Sequence, residues 1–362
     1  MARILHLISS NQRRGAETFG TELAADMTER GHEVEVLAVA PSTSGPYLDV
    51  KVAGRHRADP VGLARILRSA NANDLVVSFG SASLQSAGIA GALTRRPFIY
   101  RNIGDPTVWQ SVRGARWRVG LPLRRASAIV AVFPEAGAEI ARRYGIDQSR
   151  IRVIPRGVPS ERFPLVSQER RSAARVELKL DLHRPWALLL GSLSEEKDPM
   201  LAVNAIAGHP SAGLIVVGDG PLAAAVRAQT VMAPNRLRML GPVDDVRTPL
   251  AAADLLILTS RTEGVPGVAI EAGLSGLPVV ASKVGGIPYL VSDRETGILV
   301  DYPDVRGFTN AVSAALASSA ELGPAAASRC RAEFSMSAVG AAWHELVTQV
   351  LQDRDRLPND RH

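Results

Sequence analysis

Short apolar runs alternate along the chain with longer amphipathic stretches, and that rhythm predicts its elements. RILHLI (3–8), VEVLAV (34–39), DLVVSFG (74–80), PFIYRN (97–102), ASAIVAVF (126–133) and IRVIP (151–155) are short and mostly apolar. Runs of this kind read as strands buried on both faces, as in a parallel sheet. Between the first two, Phe19, Leu23 and Met27 recur at helical spacing, and Gly31 closes the helix. Helical segments separate the others. Strand and helix in strict alternation predict a Rossmann-like α/β domain over 1–165, its sheet closed by 151–155.

Pro155, Pro159 and Pro164 then give extended, turn-rich chain, and the charged segment QERRSAARVELKL (168–180) predicts one helix. The rhythm resumes over 180–335. PWALLLGSL (185–193), GLIVVGDGP (213–221), RLRMLGPVDDV (236–246), AADLLILTS (252–260) and ETGILV (295–300) predict a second α/β domain. Beyond 303 the pattern is helical, with a last amphipathic helix over 339–355.

The chemistry concentrates in 260–300, SRTEGVPGVAIEAGLSGLPVVASKVGGIPYLVSDRETGILV. Gly264-Val265-Pro266-Gly267 cannot be helix interior, whereas VAIEAGLSG (268–276) can be a short helix. Glu263 therefore falls in a loop just before a helix, and Glu271 about one turn into it. The start of a helix offers unpaired N–H groups and a positive dipole end, here near Gly267 and Val268, which suits phosphate. Carboxylates accept paired hydrogen bonds from vicinal hydroxyls. Phosphate donors beside hydroxyl acceptors suit a nucleotide-sugar.

The run Glu263-x7-Glu271, with Gly276-x-Pro278-Val279-Val280-Ala281 and Gly285-Gly286-Ile287-Pro288 after it, closely resembles the signature of retaining glycosyltransferases of family 4. The resemblance is strong over 185–300 and looser over 1–160. It implies the GT-B fold: two Rossmann-like domains facing each other across a cleft, the donor held mainly by the C-terminal one, with the last helix able to cross back to the first. It implies transfer of a sugar from a nucleotide-diphosphate donor to an acceptor hydroxyl with retention, without a metal or other cofactor. The acceptor can be a glycan, a lipid or a small molecule, as in cell-surface polysaccharide or glycoconjugate biosynthesis.

By the same resemblance Glu271 holds ribose hydroxyls, Glu263 contacts and orients the transferred sugar, and Lys197 neutralises the diphosphate. Lys197 and Glu263 are thus the expected catalytic pair. Gly218 and Gly220 of Val-Gly-Asp-Gly-Pro let backbone approach the donor, and Val243 belongs to a Leu-Gly-x-Val-x-Asp segment near the base. Arg14-Gly15-Ala16-Glu17 stands where relatives carry Gly-Gly-Ala-Glu; Gly15 still admits a phosphate, and Arg14 faces the acceptor. Arg101 and Asn102 lie on the acceptor side.

Three departures qualify that picture. Ser192 replaces the Arg that relatives place shortly before the Lys, so Lys197 becomes the main side-chain cation on the diphosphate, with Arg261 as its competitor. Arg156 stands where Pro-Asn-Gly-Val is usual. Arg101-Asn102-Ile103-Gly104-Asp105 has no His where many relatives carry one.

A formal charge of +6 permits acidic lipid head groups or phosphorylated substrates, while nucleic acid is not an expected partner. Between 97 and 125, Arg101, Arg113, Arg116, Arg118, Arg124 and Arg125 face one acid, Asp105, with Trp109, Val112, Trp117, Val119, Leu121 and Leu123 interleaved. A core helix with a solvated basic face is the preferred account, and contact with an anionic membrane the other. Gly120 and Pro122 break any long amphipathic helix there. The single cysteine, Cys330, excludes an internal disulfide and fits a reducing cytoplasm. No signal peptide is visible, so the expected location is cytoplasmic, with the inner membrane face as the variant. The opening βαβ lacks Gly-x-Gly-x-x-Gly, which disfavours a dinucleotide dehydrogenase. Asp353 and Asp355 form an Asp-x-Asp, but in a polar tail. Two rivals stay open: a nucleotide-sugar-binding protein that has lost turnover, and a nucleotide-sugar epimerase.

Overall fold

The computed structural model describes residues 1–43, 45–104 and 115–356, with Ala115, Arg116 and Asp355 described by their backbone alone. Trp109, Val112, Arg113 and Asp105 of the basic stretch lie outside the described residues, as does the Arg116 side chain. The chain forms two compact units. One comprises Met1–Gly157 together with the chain from Met336 onward; the other is Val158–Ser335.

Among the described residues the first unit holds seven parallel strands: β1 (Arg3–Ser10), β2 (Glu33–Ala40), β3 (Lys51–Val52), β4 (Leu75–Phe79), β5 (Phe98–Arg101), β6 (Ala128–Ala131) and β7 (Ile151–Val153). Their order is β3-β2-β1-β4-β5-β6-β7. Side chains alternate across a strand, so each face of this sheet gets its own core. Ile4, Ile8, Val77 and Phe79 point to the face covered by the Gly15–Glu29 and Met336–Arg356 helices, whose Phe19, Leu23, Met27, Trp343 and Val347 are buried with them. The Phe79 and Trp343 rings stack at 6.2 Å. Leu5, Leu7, Val76 and Tyr100 point the other way, onto Ile66, Leu84 and Ile140 of three more helices. Burial on both faces is why these strands read as unbroken apolar runs.

The second unit repeats the plan with six parallel strands: β8 (Trp186–Leu190), β9 (Gly213–Val217), β10 (Leu237–Gly241), β11 (Leu255–Leu258), β12 (Val279–Ser282) and β13 (Gly297–Val300). The order is β10-β9-β8-β11-β12-β13. Both sheets have the doubly wound order in which the chain winds outward in one direction and then the other from a central pair. Each unit is therefore Rossmann-like. Its reversal point lies between β1 and β4 in the first unit and between β8 and β11 in the second.

The basic stretch divides at Val119 into two short helices, Ala115–Arg118 and Gly120–Arg125. Leu123 is buried in the core while Trp117 and Leu121 are exposed. Among the described residues no helix is long and apolar enough to cross a membrane. Cys330 is buried, and burial pushes its thiol up to about 12.

Candidate active site

Open α/β sheets bind ligands beyond the carboxyl ends of the strands at the point where strand order reverses. In the second unit the loops leaving β8 and β11 flank that point. The β8 loop carries Ser192 and Lys197; the β11 loop carries Arg261 and Glu263. Hydrogen bonds fasten one to the other. Arg261 N–H donates to the Glu196 carbonyl at 2.8 Å, and Thr259 Oγ1 donates to the Asp198 carbonyl at 2.8 Å. Asp198 caps the following helix through Leu201 N–H and accepts from Tyr302 Oη at 2.8 Å.

Two charged side chains meet on this platform. Lys197 Nζ is 2.9 Å from Glu263 Oε1 and 3.3 Å from Glu196 Oε1. Ser260 Oγ donates to the same Glu263 oxygen at 2.7 Å. Burial works against the ammonium, but Glu263 and then Glu196 outweigh it, and the pKa of Lys197 moves up. The lysine is firmly charged at neutral pH. Arg261 is more exposed and reaches only to 4.0 Å from Asp198 Oδ2. Ser192 is exposed on the β8 loop.

The loop then enters the Gly267–Leu274 helix, with Pro266 at its N-cap and no side chain capping it. The N–H groups of Gly267 and Val268 have no partner within the helix, by the geometry of a first turn. Glu271 is half-buried one turn further on. This loop is braced from below: Gly286 N–H donates to the Glu263 carbonyl at 3.1 Å, and Gly285, at φ 51°, leaves no room for a Cβ beside that carbonyl.

Gly218 and Gly220 follow β9 and sit against the β8 loop. Gly191 N–H donates to Val217 O at 3.0 Å, Leu193 N–H to Asp219 O at 2.9 Å, and Leu222 N–H to Leu193 O at 2.8 Å. Gly218 adopts φ 134°, and a Cβ there would overlap the Gly191 carbonyl oxygen. The approach these glycines allow is first of all between two stretches of protein backbone. Val243 is half-buried in the loop after β10.

In the first unit Gly15 opens its helix with Arg14 at the N-cap, exposed and making no side-chain cap. Arg101 ends β5 and Asn102 follows it; both are buried, 3% and 1% exposed. The Arg101 guanidinium lies 4.1 Å above the Phe19 ring. Burial, and then the neighbouring Arg156, press its pKa down to about 9. Arg156 itself reaches the start of the helix: a Cβ built on Gly15 would lie 2.7 Å from Arg156 Nη1. In the sequence Arg156 is visible only as a departure from Pro-Asn-Gly-Val. Ser260, which steadies Glu263, carries no sequence signal beyond its place three residues upstream.

Two family models match the chain. "Glycosyltransferase Family 4" covers residues 13–162 and "Glycosyl transferases group 1" covers residues 184–318. The chain belongs to glycosyltransferase family 4. Family 4 enzymes transfer a sugar from a nucleotide-sugar donor to an acceptor, and both matched regions hold the loops just described. A D-inositol 3-phosphate glycosyltransferase of Xylanimonas cellulosilytica is 28% identical over 395 residues, covering 94% of this chain and 93% of the relative. The enzyme of the same name from Segniliparus rotundus is 35% identical over 182 residues, 46% of this chain but only 39% of that protein. The crystal structure of Anabaena HepE in complex with UDP-glucose matches with a TM-score of 0.83 at 23% identity, covering 96% of this chain and 100% of that one, and shares the GT-B fold. Among the described residues no group of three or more His, Cys, Asp or Glu is placed to hold a metal ion.

Proposed function

We propose that this protein is a retaining glycosyltransferase whose second unit holds a nucleoside-diphosphate sugar. The observation that carries this reading is the Lys197–Glu263 contact of 2.9 Å at the reversal point of the second sheet, directly before an uncapped helix start. A cation and open N–H groups receive a diphosphate; carboxylates receive hydroxyls.

In this reading the diphosphate lies on Lys197 and the N–H groups of Gly267 and Val268, Glu271 takes the ribose hydroxyls, and Glu263 orients the sugar. In the second unit Ser192, Gly218, Gly220, Val243 and Arg261 line the donor; in the first unit Gly15 is a further candidate for donor contact, and Arg14, Arg101 and Asn102 are candidates for the acceptor. The bond from the anomeric carbon to the phosphate breaks as the acceptor oxygen bonds on the same face. The acceptor proton passes to the departing phosphate oxygen. A fixed cation and fixed N–H dipoles stabilise the charge that develops on the leaving group, and the reaction needs no metal. The product belongs to cell-surface polysaccharide or glycoconjugate synthesis, made at the cytoplasmic side.

The relatives supply candidate ligands for a first panel: UDP-glucose, after the complex named above, and D-inositol 3-phosphate. Isothermal titration with a panel of nucleotide-sugars tests the donor assignment. Saturable binding of one of them, lost in Lys197→Ala, supports it; no binding across the panel overturns it. Ser192 favours one rival, a protein that binds the donor but no longer turns it over, and a transfer assay with the bound donor separates the two.

A further inference from the structure

We propose that a cavity at the amino edge of the first sheet binds a small polyphosphorylated molecule, which fastens the last described helix to that sheet. The site goes beyond the glycosyltransferase reading and does not depend on it.

The cavity has a volume of about 560 Å³ and lies wholly within the first unit. Its wall includes Pro97, just before β5, Ser127, just before β6, and Arg150, just before β7. The end of the Ser81–Thr94 helix and the Val350–Arg354 part of the last helix complete it. These strand ends are the amino ends. Open α/β sheets take their substrates at the carboxyl ends, where Arg14 and Asn102 follow β1 and β5. The cavity is therefore at the other end of the sheet from the candidate acceptor residues.

Five lining residues are arginines, Arg95, Arg96, Arg125, Arg150 and Arg354, against one carboxylate, Asp353. Two of the five are tied to protein. Arg96 donates to the Asn71 carbonyl at 3.1 Å and lies 3.8 Å from Asp74. Arg150 donates to the Arg124 carbonyl at 3.0 Å and to that of Ala126. Arg95, Arg125 and Arg354 are exposed, and among the described residues their guanidinium groups have no hydrogen bond or ion pair, not even with Asp353. A basic residue at a helix C-terminus is favourable, and Arg95 and Arg125 end the Ser81–Thr94 and Gly120–Arg125 helices. That accounts for each arginine singly. It does not account for five gathered round one hollow, where like charges repel. An anion among them removes the repulsion.

Small-molecule sites have volumes of about 300–1,000 Å³, and this cavity is of that size. Guanidinium forks match the oxygens of phosphate. A single phosphate uses few of these forks, whereas a chain of phosphates offers oxygens to arginines on separate elements. Ala92, Pro97 and Val350 add apolar wall on which the organic part of such a molecule can rest. Arg354 belongs to the last helix and Arg95 and Arg125 to helices of the sheet's other layer. A ligand shared among the three thus ties that helix down.

Isothermal titration of inorganic triphosphate into the full-length protein tests the site. One saturable site should appear, at least about tenfold tighter than for orthophosphate, which offers fewer oxygens. Arg95→Gln, Arg125→Gln and Arg354→Gln should each weaken it by at least about tenfold, the scale of one lost hydrogen bond to a charged group. These side chains hold no other described residue, so the melting temperature should stay at the wild-type value, and if one variant fails to fold the other two decide. Arg142→Gln removes the same charge from outside the cavity, where Arg142 pairs with Glu139, and should leave the affinity unchanged, as should Lys197→Ala. Bound triphosphate should slow hydrogen exchange in the Met336–Arg356 helix, and Arg354→Gln should abolish that slowing. Absence of saturable binding would overturn the proposal. So would equal weakening by Arg142→Gln, which reports diffuse charge, or loss in Lys197→Ala, which puts the triphosphate at the donor site. Binding to phosphatidylglycerol vesicles without binding of soluble triphosphate would overturn it in favour of a lipid surface.

Discussion

Lys197 and Glu263, 66 positions apart in the sequence, meet at 2.9 Å on neighbouring loops of the second sheet. Ser260 holds the carboxylate oxygen they share. The pair keeps a charged ammonium in place; in the proposed reading this is the preorganisation that leaving-group stabilisation requires.

Removal of that ammonium should be felt in turnover. Lys197→Ala is expected to lower kcat by at least about a hundredfold, the scale of losing one preorganised donor. Ser192 is exposed on the same loop, so Ser192→Arg has room for its side chain and should restore part of the loss. Near-normal kinetics in Lys197→Ala with collapse in Arg261→Ala would hand the role to Arg261.

Glu271→Ala should weaken donor binding by roughly 1.5–3 kcal/mol, the range for a hydrogen bond to a charged group. Titration with the donor, alongside thermal melting of the variant, reads the effect. Unchanged affinity would remove Glu271 from the ribose.

Transfer activity should persist in excess EDTA. Neither the sequence nor the described side chains gather a cluster of carboxylates or imidazoles for a divalent ion. Activity abolished by the chelator and restored by magnesium or manganese would refute the metal-free reaction.

Gly218→Ala should destabilise the second unit and weaken the donor site together. The new Cβ would meet the Gly191 carbonyl oxygen, at a φ of 134° that side chains rarely adopt. Strain of this kind typically amounts to about 1–3 kcal/mol, so the melting temperature should fall clearly. A variant as stable as the wild type would mean the two loops can part without penalty.

Stability should decline in mild acid through His6. Burial lowers its pKa to about 4, against a hydrogen bond to the Gly20 carbonyl that works the other way. Between about 6.5 and about 4 the unfolded chain takes up a proton that the folded chain refuses, so stability rises with pH across that window and drops as pH falls through it. The full effect is about 3 kcal/mol by pH 4. Urea unfolding of wild type and His6→Asn at pH 7 and pH 4.5 checks it: the variant should lose less, and equal losses would place the sensitivity elsewhere.

Much of the fold is legible because strands buried on both faces cannot hide; β1, β4, β8 and β11 stand out as apolar runs. Lys51–Val52 does not, since two residues at the edge of a sheet make no pattern. Val279–Ser282 reads as part of a motif before it reads as a strand, being only four residues after a proline. In the site, Glu263 and Glu271 are visible from their spacing around one helix start. The contact of Lys197 with Glu263 is not, because the strand order of the sheet and not the distance along the chain makes them neighbours. Arg156 is visible as an oddity, but its approach to Gly15 depends on how the chain beyond β7 meets the first helix. The glycines at 218 and 220 show the converse: a pattern that suggests room for a ligand also serves the packing of protein on protein.

The last described helix, Met336–Arg356, lies on the first sheet with Trp343 stacked on Phe79. During synthesis the ribosome delivers residues 1–157 before Val158–Ser335, and this helix after both. Until then one face of the first sheet, with Phe19, Leu23, Met27 and Phe79, is without its closing cover. The second unit has all its residues sooner than the first. Of the two units, the one begun earlier is thus sealed later, and a nascent chain stalled before residue 336 exposes an apolar surface of the sort chaperones recognise.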